Sequence, residues 1–180
     1  RKTKKGGGVG IFVRNDLSNE IELIDANESK IEFHDEVFEN VLIKIPNAIS
    51  VKNTKKHLII AAVYRQPNNN QFDIFSRNLE TLLKFTNKEN YEAIIAGDFN
   101  LDLLKYENHL PTANYLDLMT EHKLLPRILR PTRIQKQSAT LIDYIFTTEN
   151  ETVTLSGIIA TEIAGNNGYT DHFPTFTVLR

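Results

Sequence analysis

The chain has 180 residues and a mass of 20.6 kDa, enough for one full hydrophobic core and too little for two comfortable domains. Hydrophobic residues make up 41%, charged residues 24%, and there is no cysteine, which excludes a disordered tail, a disulfide scaffold, thiolate zinc sites and a cysteine nucleophile. With 21 basic against 23 acidic residues the formal charge is -2, no global attraction to nucleic acid, and no apolar run approaches the ~20 residues needed to cross a bilayer.

The basic start Arg1, Lys2, Lys4 and Lys5 is followed by Gly6 to Gly8 and by the branched run Val9 to Val13, which reads as a strand. A turn around Asn15, Asp16 and Asn19 leads to a second strand at Glu20 to Ile24. Residues 31 to 45 carry two more strand candidates, with Val41, Ile43 and Ile45 on one face by period two and Pro46 and Asn47 ending the run. Together these segments resemble an antiparallel meander. His57 to Tyr64 is nearly all apolar, as in a strand covered on both faces. Asn68 to Asn70 offers a helix start, and Phe72, Phe75, Leu79, Leu82 and Leu83 follow at helical spacing. Ala93 to Ala96 is another buried strand, closed by Gly97. A second helix is expected over residues 112 to 123, capped by Thr112, with Tyr115, Leu116 and Met119 buried. Pro126 and Pro131 bound irregular chain. Leu141 to Thr147, Thr152 to Ile159 and Phe173 to Leu179 read as strands, with a loop over residues 165 to 170. Strands outnumber helices, and several connections are too short for crossover helices. The pattern suggests two packed sheets with helices outside.

The polar groups of interest stand at the ends of these apolar strands. Asp98 follows Ala93–Ala96 and could hold a metal or a water; Asn100, two residues on, could donate to a phosphate oxygen, or the pair could simply form an Asx turn. Asp102 reads as solvent-facing or helix-capping. Asp143 sits among Leu141, Ile142, Ile145 and Phe146, where a carboxylate needs a partner such as histidine, unless it faces water at a strand edge. Asp171 and His172 are adjacent, and a bend could turn both into one cleft. Tyr64 is a phosphate contact or an aromatic wall. Arg65, Thr132 and Arg133 are phosphate-contacting or loop-stabilising candidates. His34, His57, His109 and His122 show no metal-ligand spacing. The strand-end groups offer only oxygen and imidazole donors, which suits Mg2+ or Mn2+ and a phosphate ester. Metalloprotease spacing, the P-loop and the dinucleotide fingerprint are absent.

The order GGGVGIFV, AAVYRQPN, IIAGDFN, PTRI with SATLIDYIF, and TDHF resembles the endonuclease/exonuclease/phosphatase superfamily, and more narrowly the apurinic-type endonuclease domain of non-LTR retrotransposons, over residues 6 to 178. The resemblance implies an α+β fold, a four-layer α/β/β/α sandwich of two mixed β-sheets flanked by helices, as a single domain over residues 1–180. It implies metal-dependent hydrolysis of a DNA phosphodiester to nick a strand for retrotransposition, with Mg2+ or Mn2+ as cofactor. Tyr64 then contacts the scissile phosphate, Asp98 orients the water, and Asn100 stabilises the transition state. Asp143 pairs with His172, which holds a phosphate oxygen. Asp98, Asn100 and Asp171 form the metal side. Arg65, Thr132, Arg133 and Thr170 are the substrate-binding candidates, Thr170 standing where many relatives have serine.

Family members begin with a strand carrying an asparagine and a segment carrying the principal metal-binding glutamate, both before the glycine-rich strand. Here that strand starts at residue 9, and Glu20 and Glu22 come too late to replace the glutamate. The domain is therefore expected to be N-terminally truncated; the resemblance implies a longer polypeptide fused to a reverse transcriptase, acting in the nucleus without membrane attachment. The competing expectations are an inactive nucleic-acid-binding remnant and a same-fold phosphoesterase acting on a small phosphate ester. A rim of Lys52, Lys55, Lys56, Arg65, Arg130, Arg133 and Lys136 around the cleft would favour DNA.

Overall fold

A computed structural model of the chain describes residues 8–29, 31, 37–67, 70–149, 153–160 and 170–180. The expected strand within residues 32–36, the loop over 165–169, His34 and the basic start lie outside the described residues. A six-stranded sheet organises the rest. Its strands are β1 (Glu22–Ile24), β2 (Glu39–Val51), β3 (Thr54–Tyr64), β4 (Tyr91–Asp98), β5 (Leu124–Pro126) and β8 (Asp143–Thr148), in the order β1-β2-β3-β4-β8-β5. β6 (Arg133–Gln135) and β7 (Ser138–Thr140) form a hairpin, and β9 (Val153–Ile158) pairs with β10 (Thr175–Leu179). The helices are the single turn α1 (Ala26–Ser29), α2 (Phe72–Thr86) and α3 (Leu110–Glu121). The architecture is the expected mixed α/β sandwich of sheets flanked by helices. Among the described residues no strand before β1 pairs into it.

β3 and β4 run parallel, and α2 is their crossover. Alternation along the central strands sends Ile59, Ala61 and Val63, Ala93 and Ile95, and Tyr144 and Phe146 to one face. There they meet Phe75, Leu79, Leu82 and Leu83 of α2 and Tyr115 and Met119 of α3, all buried. Each such side chain contributes about 1.5–3 kcal/mol by leaving water. An aromatic cluster occupies the middle: Phe99 stacks on Tyr144 with centroids 5.2 Å apart and lies 5.3 Å from Tyr115. Among the described residues the buried hydroxyls of Tyr115 and Tyr144 meet no hydrogen-bond partner. Tyr144→Phe is therefore expected to raise the unfolding free energy by about 1 kcal/mol. Urea denaturation checks this, and a loss of stability would show that the hydroxyl is satisfied by water. β9–β10 packs Ile158 and Leu179 against the core, with β10 beside β8.

Several expected elements differ. Among the described residues Val9 to Val13 joins no ladder, and Phe12 is fully exposed. A strand forms only where a neighbouring segment takes up its backbone donors and acceptors. Asn15–Glu20 is a 3-10 helix rather than a turn, and Ser18 Oγ donates to Asn15 O at 2.7 Å. Pro46 and Asn47 do not end β2. The register slips between Ile45 and Ile49, Asn47 takes φ 54°, and its N–H donates to His57 Nδ1 at 3.2 Å, so that a side chain replaces the lost ladder bond. The first long helix starts at Phe72 rather than near Asn70. The second begins at Leu110 with His109 as cap residue, because Pro111 suits a first turn. Thr112 lies inside it, with Oγ1 2.8 Å from His109 Nδ1. Pro126 sits in β5, which is tolerated because β5 is an edge strand.

Candidate active site

Register places four polar residues in one row at one end of the sheet. Glu39 of β2 lies opposite Tyr64 of β3, Tyr64 opposite Asp98 of β4, and Asp98 opposite Asp143 of β8. Ladder partners share a face, so this row looks away from the helices. Glu39 is buried and was not foreseen. The signal was present in the sequence: it stands two residues before Val41 and continues the Val41, Ile43, Ile45 alternation.

Asp98 is aimed by its neighbours. Phe99 is buried on the helix face, so the alternation holds Asp98 on the other. Phe99 N–H donates to Ile142 O at 3.0 Å, and Arg65 N–H to Asp98 O at 3.0 Å. Asp98 Oδ1 accepts from Asn100 N–H at 3.0 Å, the Asx turn weighed above, and Asn100 adopts φ 48°. The Asn100 amide does not point outward as a free donor: Nδ2 donates to Arg65 O at 2.7 Å. Asp102 acts as a cap and a tie, its Oδ1 accepting from Leu104 N–H at 3.2 Å and from Leu141 N–H at 3.0 Å.

His172 reaches the row from the loop ahead of β10. Its Nδ1 is 3.0 Å from both carboxylate oxygens of Asp143. A carboxylate only accepts, so Nδ1 carries the proton. The hydrogen bond to Asp143 raises the His172 pKa above its ordinary value, against the lowering effect of burial. Asp98, Asp143 and His172 each offer one ligand atom within 4.8 Å of the others. Burial, then the charge of Asp143, pushes the Asp98 pKa up to about 6. A cation would offset that burial cost, and the neighbouring carboxylates of Asp98 and Asp143 offer the hard oxygen donors that suit a divalent ion. Binding Mg2+ is therefore expected to lower the Asp98 pKa from about 6, as followed by carboxyl-carbon NMR in a metal titration. An unchanged Asp98 titration at saturating Mg2+ would place the ion elsewhere.

The other expected site residues are placed differently. Asp171 stands beside the cluster rather than in it. Its Oδ2 accepts from Arg133 Nε and from Gln135 Nε2, both at 2.7 Å, and its Oδ1 is 3.8 Å from His172 Nε2. Burial works against the Asp171 charge, and the Gln135 and Arg133 bonds outweigh it, so its pKa is lowered. Arg65, expected at the substrate, is only 6% exposed. Its guanidinium donates from Nη1 to Phe99 O and Asn100 O, each at 3.4 Å, and lies over the Phe75 ring at 5.4 Å. It supports the Asp98 loop from beneath. Thr132 is fully buried. Thr170 accepts from His172 N–H at 3.1 Å. The β6–β7 hairpin, unforeseen from the sequence, delivers Arg133 and Gln135.

The expected basic rim is dispersed. Lys56 pairs with Glu92 at 2.8 Å, and with Lys52 and Arg127 it lines a groove of about 1030 Å³. Lys56 lies near the start of β3 and Tyr64 at its end, so this groove is about 25 Å from the row. Arg130 lines a smaller cleft of about 410 Å³ beside β9 and β10.

A family model described as endonuclease-reverse transcriptase matches residues 58–176, from β3 through β10 and across every residue of the Asp98, Asp143 and His172 cluster. The chain belongs to the endonuclease/exonuclease/phosphatase superfamily. Solved structures share its fold. An endonuclease/exonuclease/phosphatase family protein from Leptotrichia buccalis is 18% identical with a TM-score of 0.53, covering 78% of this chain and 54% of its own. A mannosyl-6-phosphatase from Bacteroides thetaiotaomicron is 15% identical with a TM-score of 0.55, covering 91% and 68%. The endonuclease domain of TRAS1, a telomere-specific non-LTR retrotransposon, is 14% identical with a TM-score of 0.61, covering 91% and 69%. The chain thus spans between about half and about two thirds of the length of these solved structures. No curated protein sequence matches it.

Proposed function

We propose that this chain is the nicking endonuclease domain of a reverse-transcribing element, hydrolysing a DNA phosphodiester with a divalent metal. The observation that carries the reading is the Asp98, Asp143 and His172 cluster at the end of the sheet. Superfamily membership and this cluster support phosphoesterase chemistry; DNA as substrate, the reverse transcriptase fusion, nuclear action and a single domain over residues 1–180 are part of the proposal. Mg2+ or Mn2+, held by Asp98 with help from Asn100 and Asp143, would supply charge to the phosphoryl oxygens. The protein's own groups do the rest. Imidazolium His172, kept charged by Asp143, donates to a phosphate oxygen. Asp98 orients the water. The Tyr64 hydroxyl, on the same face, contacts the phosphate.

A second reading is favoured by one observation. Asp143 is bonded to His172 and Asp171 to Arg133, so Asp98 is the carboxylate of this group that no cationic side chain hydrogen-bonds among the described residues. A site with so few uncommitted oxygens suits a remnant that binds nucleic acid weakly and cleaves it poorly. The deciding experiment is supercoiled-plasmid nicking with Mg2+, run on this chain and on a version extended at its N-terminus, with a small phosphomonoester assayed in parallel. Metal-dependent nicking by either form, abolished by Asp98→Asn, supports the endonuclease. Hydrolysis of the monoester alone redirects the assignment to a small-ester phosphatase. DNA binding without cleavage in both forms supports the remnant.

A further inference from the structure

Asp143 and His172 come from segments that no ladder joins. Asp143 opens β8 of the six-stranded sheet, whereas His172 leads into β10 of another sheet. The two side chains meet at 3.0 Å all the same. Thr132 connects both segments. Its Oγ1 accepts from Ile142 N–H at 3.2 Å and from Asp143 N–H at 3.0 Å. Its backbone oxygen accepts from Phe173 N–H at 2.6 Å, and its own N–H donates to Thr140 O at 2.9 Å. The side chain is 0% exposed, so it cannot touch a substrate. Next to it, Arg133 bridges to His172, and Ile134 N–H donates to Asp171 O at 2.9 Å. One buried residue therefore ties the start of β8, the end of β7 and the residue after His172.

We propose that Thr132 is a positioning residue: its buried hydroxyl oxygen anchors the amides at the start of β8 while its carbonyl anchors the chain after His172, and so sets the Asp143–His172 contact. Without the oxygen, the buried Ile142 amide and the part-buried Asp143 amide lose their acceptor and the start of β8 shifts relative to His172. A misplacement near 1 Å at a reacting group is enough to slow chemistry about a hundredfold. The kinetic arm of the test rests on the nuclease reading above; the spectroscopic arm does not.

The test compares Thr132→Val, which keeps shape and loses the oxygen, with Thr132→Ser, which keeps the oxygen. The readout on metal-free protein is the low-field proton resonance of the His172 ring N–H held by Asp143, assigned by its loss in His172→Ala. We expect Thr132→Ser to retain this resonance and Thr132→Val to lose or shift it. We also expect Thr132→Val to lower kcat for nicking about ten- to hundredfold with KM nearly unchanged, and Thr132→Ser to restore it. A folded Thr132→Val protein with the parental resonance and kcat overturns the proposal. If Thr132→Val does not fold by circular dichroism, Thr132→Ser decides: a retained resonance supports the oxygen's role, and a folded protein without it overturns that role. If the parental chain nicks no DNA, the functional reading fails while the resonance still tests Thr132.

Discussion

On the proposed function, His172→Ala is expected to lower the nicking rate about a thousandfold while leaving the melting temperature within a few degrees of the parent. The rate effect follows from charge. His172 carries a proton on Nδ1 because Asp143 accepts it at 3.0 Å, and that contact raises the imidazole pKa. In the proposed reaction the protonated ring would be a positive donor beside the phosphoryl oxygens, and removing it would remove stabilisation made mainly in the transition state. The small stability effect follows from location: the His172 side chain is half-buried at a loop end and contributes nothing to the aromatic core. The sign of its pH linkage is also set. A raised histidine pKa contributes stability that is fully present below the ordinary value of 6.5 and is lost as pH rises through the folded value. The parent should therefore lose a small stability increment above pH 6.5 that His172→Ala does not show. Plasmid nicking and thermal melts across pH check both halves. Near-parental nicking by His172→Ala would remove His172 from the chemistry.

Gly97→Ala is expected to destabilise the protein by more than about 4 kcal/mol, enough to abolish folding in a domain of this size. A Cβ at Gly97 would fall inside the Val63 carbonyl oxygen of the neighbouring parallel strand, and φ is +156°. The obstacle is backbone, so no rotamer change relieves it. Relief would require β3 and β4 to separate at the residue just before Asp98, beside the Tyr64–Asp98 pair. Gly157→Ala is the matched control. There the added carbon would meet the Phe176 ring at 3.3 Å, and a side chain can turn away. Urea denaturation of both variants should show a cooperative transition close to the parent's for Gly157→Ala and none for Gly97→Ala. A stable Gly97→Ala protein would mean that the two strands are not packed this closely.

Much of the site could be read from strand ends. AIIAGDFN puts a carboxylate just past a buried strand, and LIDYIF puts another where an apolar strand begins; both positions require a polar partner or solvent whatever the fold. The helix over Phe72, Phe75, Leu79, Leu82 and Leu83 was equally legible, because a strong 3.6-residue period leaves little choice of buried face. Elements that depend on a neighbour were less so. Val9 to Val13 has the composition of a strand but no ladder partner among the described residues. β2 runs through Pro46 because His57 supplies an acceptor that no local rule anticipates. The β6–β7 hairpin has only three residues per strand, too few for a period to show.

Local sequence determined which groups are available: hard oxygen and imidazole donors, no thiol, and polar residues punctuating apolar strands in an order that identifies the superfamily. Chain packing alone decided what those groups do to one another. Arg65 and Arg133 look alike as cations in loops, yet one is buried beneath the Asp98 loop and the other neutralises Asp171. Thr132 reads as a phosphate-contacting or loop-stabilising hydroxyl, and it is interior, accepting from the Ile142 and Asp143 amides. The reason is physical: side-chain type follows from covalent structure, whereas burial, hydrogen-bond partner and pKa are set by atoms brought close from distant parts of the chain.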